Sequence, residues 1–90
     1  KNYFQFSKGN KMSRFTVSTL RANIDDVNTL LSDSGSLYFY EVNSRNGYYA
    51  VDLCHKVRGT IRNLDCNEPA RVLSERVDED YEYYMGKEAA

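Results

Sequence analysis

The sequence predicts a small single α+β domain in the order α-β-β-β-α, a three-stranded antiparallel meander with two helices packed on one face. Three observations carry this. Leu20, Ile24, Val27 and Leu31 recur at helical spacing, two β-rich runs flank Asn46-Gly47, and Ala70, Leu73, Val77, Tyr81 and Tyr84 fall within one arc of a second helix. Ninety residues suit one domain with one modest core.

Phe15-Thr16-Val17 is a short β-branched run, and Ser18 or Thr19 can act as the N-cap of the first helix. Ser32-Asp33-Ser34-Gly35 ends that helix, with Gly35 suited to a left-handed cap. Two strands follow, Leu37–Val42 and Tyr48–His55. Their register decides which side chains are buried. A two-residue Asn46-Gly47 turn sets Glu41 opposite Asp52, an unfavourable like-charge pair. A three-residue Arg45-Asn46-Gly47 loop avoids this and is the register preferred here, with a four-residue loop as the alternative. It gathers Leu37, Phe39, Tyr49, Val51 and Leu53 on one face, and leaves Tyr38, Tyr40 and Val42 on the other with Ala50, Asp52 and Cys54. Val57-Arg58-Gly59 is a turn and Thr60–Leu64 a third strand. Asp65–Pro69 leads into the second helix, since proline is tolerated in a first turn, and Gly86 stops it.

Lys1-Asn2-Tyr3-Phe4-Gln5-Phe6-Ser7 is similar to a common engineered protease-cleavage linker, and Met12 then reads as a native start; the other reading is an authentic strand or arm. The expected organisation is residues 1–11 as such a remnant or flexible arm, 12–87 as the domain and 88–90 as a tail. There is no apolar run of membrane-spanning length, and Cys54 and Cys66 are too few for a disulfide scaffold. A soluble protein with reduced thiols in the cytoplasm is expected, although spacing alone leaves a single bridge open.

The net charge of −1 hides a segmental pattern. Residues 1–21 hold five bases and no acid, 22–44 four acids and no base, and 45–63 four bases against Asp52. From Leu64 onward eight acids face three bases. Such asymmetry speaks about partners.

The catalytic and metal readings are thin. Cys54 and His55 are successive strand residues that point to opposite faces, so they make a poor nucleophile–base pair. Two cysteines and one histidine fall short of the four ligands of a structural zinc site. No glycine-rich phosphate loop occurs. Glu41 and Asp52 are the most interesting carboxylate pair on adjoining strands, and in the two-residue register they could share a cation or proton. No catalytic residue, metal or cofactor is expected.

Nucleic-acid binding is the alternative reading, through Arg45, Lys56, Arg58 and Arg62 with Tyr38 and Tyr40 as stacking residues. The element order is similar to that of the double-stranded-RNA-binding domain, a family that grips phosphates with a lysine-rich start to its last helix. Here that stretch is Asn67-Glu68-Pro69-Ala70-Arg71, with one acid and one base, so the likeness is of element order alone.

The most distinctive stretch is Asp78–Met85, "DEDYEYYM", four carboxylates and three tyrosines in the last turns of a helix. Acids there oppose the helix macrodipole and one another. On a regular wheel Tyr81 and Tyr84 face the core, and Asp80 comes within reach of Arg76. Glu75, Asp78, Glu79, Glu82 and Tyr83 turn outward and form the expected contact face. The function expected is a small non-catalytic protein-interaction domain that binds a basic partner. An inhibitor of a nucleic-acid-binding protein carried by a mobile element would have such a surface. A structural homodimer joined through the tyrosine-bearing sheet face is the further alternative.

Overall fold

The computed structural model describes residues 15–85, with Met85 described by its backbone alone. The readings made for residues 1–11, for Gly86 and for the tail lie outside the described residues. Helix α1 spans Val17–Asp33; strands β1, β2 and β3 span Tyr38–Arg45, Tyr48–His55 and Gly59–Cys66; helix α2 spans Ala70–Asp80 and runs into a π-helical turn, Tyr81–Met85. The expected α-β-β-β-α order holds. The strands form one antiparallel sheet in the order β1-β2-β3, and α1 packs on both the sheet and α2. No described helix is long and apolar enough to cross a membrane.

Helix α1 starts two or three residues earlier than Ser18 or Thr19 would place it. Thr16 is the N-cap, in extended geometry, and forms a reciprocal capping box with Thr19. The β-branched run Phe15-Thr16-Val17 thus belongs to a helix start, because the hydroxyls at positions 16 and 19 satisfy orphan N–H groups at both ends of the first turn. At the other end Gly35 takes φ +83°. The Gly35 and Ser36 N–H groups bond back to the Ser32 and Leu31 carbonyls, closing the helix as a Schellman motif. The stripe Leu20, Ile24, Val27 and Leu31 is buried, as the spacing implies.

The hairpin register differs from the one expected. Arg45 pairs with Tyr48, so the connection is the two-residue turn Asn46-Gly47, and Glu41 does lie opposite Asp52. Asn46 (φ 51°) and Gly47 (φ 85°) are both left-handed, the type I′ geometry whose twist matches the flanking strands. The carboxylate clash is offset by neighbours. Asp52 Oδ2 accepts from Arg45 Nη2 at 2.7 Å and Asn43 Nδ2 at 2.8 Å, and Oδ1 accepts from Asn63 Nδ2 at 2.9 Å. Asn43 Nδ2 also reaches Glu41 Oε1 at 3.2 Å.

This register exchanges the two expected faces of β1. Tyr40 lies opposite Leu53 and Val42 opposite Val51. These four join Leu20, Ile24, Val27, Leu31, Leu73 and Val77 in or against the core, whereas Leu37 and Tyr49 are largely exposed. Strand β3 is longer than expected and carries two register shifts against β2. Ala50 lies opposite Cys66, four residues from Cys54 along β2, or about 13 Å of strand. Both thiols are free and no bridge between them is geometrically open.

Candidate functional surface

Three aspartates are buried, and two of them bind the sheet, one on each of its faces. Asp52, on the face away from the helices, is held as described above. Asp80, at the end of α2, sits above the row Tyr40–Leu53–Arg62 that crosses all three strands. The Tyr40 hydroxyl donates to Asp80 Oδ2 at 2.6 Å, and Arg62 Nη2 donates to Oδ1. Burial, together with the hydrogen bond to the Asp80 carboxylate, raises the Tyr40 phenol far above its usual range. The same carboxylate raises the Arg62 guanidinium.

The stretch Asp78–Met85 is therefore not a single outward face. Asp80 does not answer Arg76; Arg76 instead bonds Asp65 at 3.0 Å and pairs with Glu79 at 3.5 Å. Asp78, expected outward, is buried, with Oδ1 accepting from Asn23 Nδ2 at 3.0 Å. That amide also donates to Ser74 Oγ at 2.7 Å, so α1 and α2 are joined by a polar contact inside the apolar seam. Tyr81 packs against the core as expected, but Tyr84 is 49% exposed. The reason is the π-helical turn, whose wider winding moves position 84 off the arc that a 100° wheel assigns it.

The remaining predicted contact residues divide between two clefts. Asp78 and Glu82 line a groove between α1 and α2, about 260 Å³ in volume, together with Asn23, Asp26, Val27, Leu30 and Tyr81. Glu79 and Tyr83 line a cleft of about 360 Å³ between α2 and β3, with Arg62, Arg76 and Tyr84. Tyr83 is 63% exposed, as expected, and meets Tyr84 edge-on at 4.6 Å between centroids. Arg62 lies over the Tyr84 ring at 4.9 Å. Glu75 is half-buried and lines neither cleft. The reading along one helix missed the contribution of α1. Asp26 and Leu30 were its available signals, an acid beside Asp25 and a leucine one position off the buried stripe.

The residues of the nucleic-acid reading are dispersed. Tyr40 is buried, and Tyr38 lies on the helix-covered face with its hydroxyl accepting from Arg58 Nη2 at 2.7 Å, so neither offers a free stacking face. The register is the cause, since it turns these tyrosines inward. Arg45 stands beside the β1–β2 turn, while Lys56 and Arg58 lie beyond the far end of β2, about 25 Å away along eight residues. Arg45 and Arg62 are each bound to an aspartate.

Of the groups weighed for catalysis, Glu41 and Asp52 do come opposite one another, with Asp52 held by Arg45, Asn43 and Asn63, but His55 and the two cysteines are not brought together. His55 faces Tyr38 edge-on, and its Nδ1 accepts from the Val57 and Arg58 N–H groups, closing the β2–β3 turn. Cys66 stands at the opposite end of β3 from His55's partner Gly59. Cys54 is buried with Sγ 3.9 Å from Glu41 Oε1, and burial and that carboxylate push its thiol up. Among the described residues no group of three or more metal-binding side chains occurs. Comparison with protein-family models, curated proteins and solved structures finds no match.

Proposed function

We propose that this chain is a small non-catalytic interaction domain that binds a basic protein partner, without a cofactor, through the acidic side of its two helices. One observation carries the reading. From Leu64 onward eight acids face three bases, in a chain of net charge −1, and the cations Arg45, Arg62 and Arg76 are already engaged by carboxylates. Among the described residues, Asp26 and Asp78 on the facing helices meet no cation, so negative potential accumulates where α1 and α2 adjoin. Glu75, Glu79, Glu82 and Tyr83 extend that surface along α2. Asp78 becomes a buried contributor to its charge in place of a direct contact. The exposed Tyr83–Tyr84 pair adds aromatic area of the kind that anchors protein interfaces. An inhibitor that occupies the basic surface of a nucleic-acid-binding protein, as mobile elements carry, is a concrete form of this function.

The test is affinity capture from the native host with the wild-type chain and with Glu75→Lys/Glu79→Lys/Glu82→Lys. The variant should lose a partner that the wild type holds while keeping the folded circular dichroism spectrum. Equal capture by both chains would refute the proposal.

A further inference from the structure

We infer that the α1–α2 groove seats a long basic side chain, arginine or lysine, presented by the partner next to an apolar residue. This rests on the interaction reading above and assigns the partner's chemistry at one place. The groove joins two features that suit such a side chain together. Its lining includes the apolar side chains of Val27, Leu30 and Tyr81, and Leu30 is 53% exposed although it lies within a well-packed helix. Carboxylates line it from both helices, the exposed Asp26 from α1 and the buried Asp78 from α2. Lysine and arginine lay an aliphatic stem along apolar surface and keep a charged head at a polar margin, which is the arrangement this groove offers in reverse.

Asp78 sharpens the fit. It is buried, and its hydrogen-bond partner in the structure is the neutral amide of Asn23, so its negative charge is not cancelled locally. A cation entering the groove meets that charge at low dielectric, where attraction exceeds that at an open surface. The α2–β3 cleft lacks this character. Its Arg62 and Arg76 are held by Asp80, Asp65 and Glu79, so its charge is already internally answered.

The experiment is an NMR titration of the full isotope-labelled chain with a short acetylated peptide in which arginines alternate with leucines. Control peptides carry citrulline for arginine or serine for leucine. Saturable amide shifts should cluster at residues 23–30 and 78–82. Each control peptide, and each of the surface variants Asp26→Lys and Leu30→Ser, should weaken binding about tenfold. Absence of saturable shifts in those two segments, or equal affinity for the citrulline peptide or in both variants, would overturn the inference. Loss of the captured partner in Glu75→Lys/Glu79→Lys/Glu82→Lys but not in Asp26→Lys/Leu30→Ser would remove the groove and leave the acidic-face reading standing. Retention in both would remove both.

Discussion

Replacing Asp80 with alanine should cost the domain far more than replacing its sequence neighbour Glu79, although both belong to the same acidic run. Asp80 accepts from the buried Tyr40 hydroxyl and from Arg62, whereas Glu79 is exposed and meets Arg76 at 3.5 Å. Losing the carboxylate strands the Tyr40 hydroxyl in the core, worth about 1–3 kcal/mol, and removes a charge-assisted bond of about 1.5–3 kcal/mol. Arg62 is 41% exposed at its side chain and can turn to water, which offsets part of the second loss. A net destabilisation of about 3–4 kcal/mol follows. A chain of this size has roughly 5–13 kcal/mol in total, so about a third of its stability is at stake. With a urea slope of about 1 kcal/mol/M, the midpoint should fall by about 3 M. Glu79→Ala should stay within about 0.5 kcal/mol, as exposed substitutions do. Urea unfolding followed by circular dichroism gives both numbers. A double-mutant cycle with Tyr40→Phe should return a coupling of about 0.5–3 kcal/mol. A loss below about 1 kcal/mol for Asp80→Ala, or equal losses at the two positions, would refute the division of this run into interior and exterior acids.

Other consequences are open to simple measurement. Asn28 donates to the Tyr40 carbonyl and accepts from the Tyr40 N–H, closing the β1 edge as a neighbouring strand would; Asn28→Ala should cost about 2–3 kcal/mol in urea unfolding and raise the tendency to self-associate in light scattering. Stability should fall as pH rises above about 10, because the Tyr40 phenol ionises near that value when unfolded but is held well above it in the fold. Tyr40→Phe should flatten that alkaline decline in pH-dependent urea midpoints, and an unchanged slope would contradict the Asp80 pairing. Cys54, buried and with its thiol pushed up, should be alkylated by iodoacetamide much more slowly than the half-buried Cys66, as peptide mass mapping would show. Gly47→Ala should destabilise the hairpin by about 1 kcal/mol, since φ is +85° there and space for the methyl group is not the constraint.

The element order was legible because each element carries its own periodicity. Leu20, Ile24, Val27 and Leu31 mark one helix, Asn46-Gly47 one hairpin, and Leu73 and Val77 the other helix, without reference to the rest of the chain. The register was misread for a reason that also is physical. A local comparison of Glu41 with Asp52 sees two like charges, but Arg45, Asn43 and Asn63 come from three positions and turn that site into a satisfied one. One wrong residue of slip then exchanged the faces of β1 and put Tyr38 and Tyr40 on the wrong side. The outward assignment of Asp78 failed similarly, because Asn23 reaches it from fifty-five residues away. Tyr84 was misplaced by a change of helical winding that residue spacing does not announce. The candidate surface was half visible, since the acids of α2 stood out while their meeting with Asp26 and Leu30 exists only once the helices pack.

The proposed role is that the acidic side of the helices presents negative potential to a basic protein, with nucleic-acid binding as the alternative. Fluorescence anisotropy of one folded preparation against a labelled arginine–leucine peptide and a labelled duplex RNA, each across a salt series, tests it most directly. Binding of the peptide that weakens with added salt, beside no binding of the RNA at the lowest salt, is the result predicted. Salt-sensitive binding of the RNA that Arg45→Ala, Arg58→Ala and Arg62→Ala weaken, with the peptide left unbound, would contradict it.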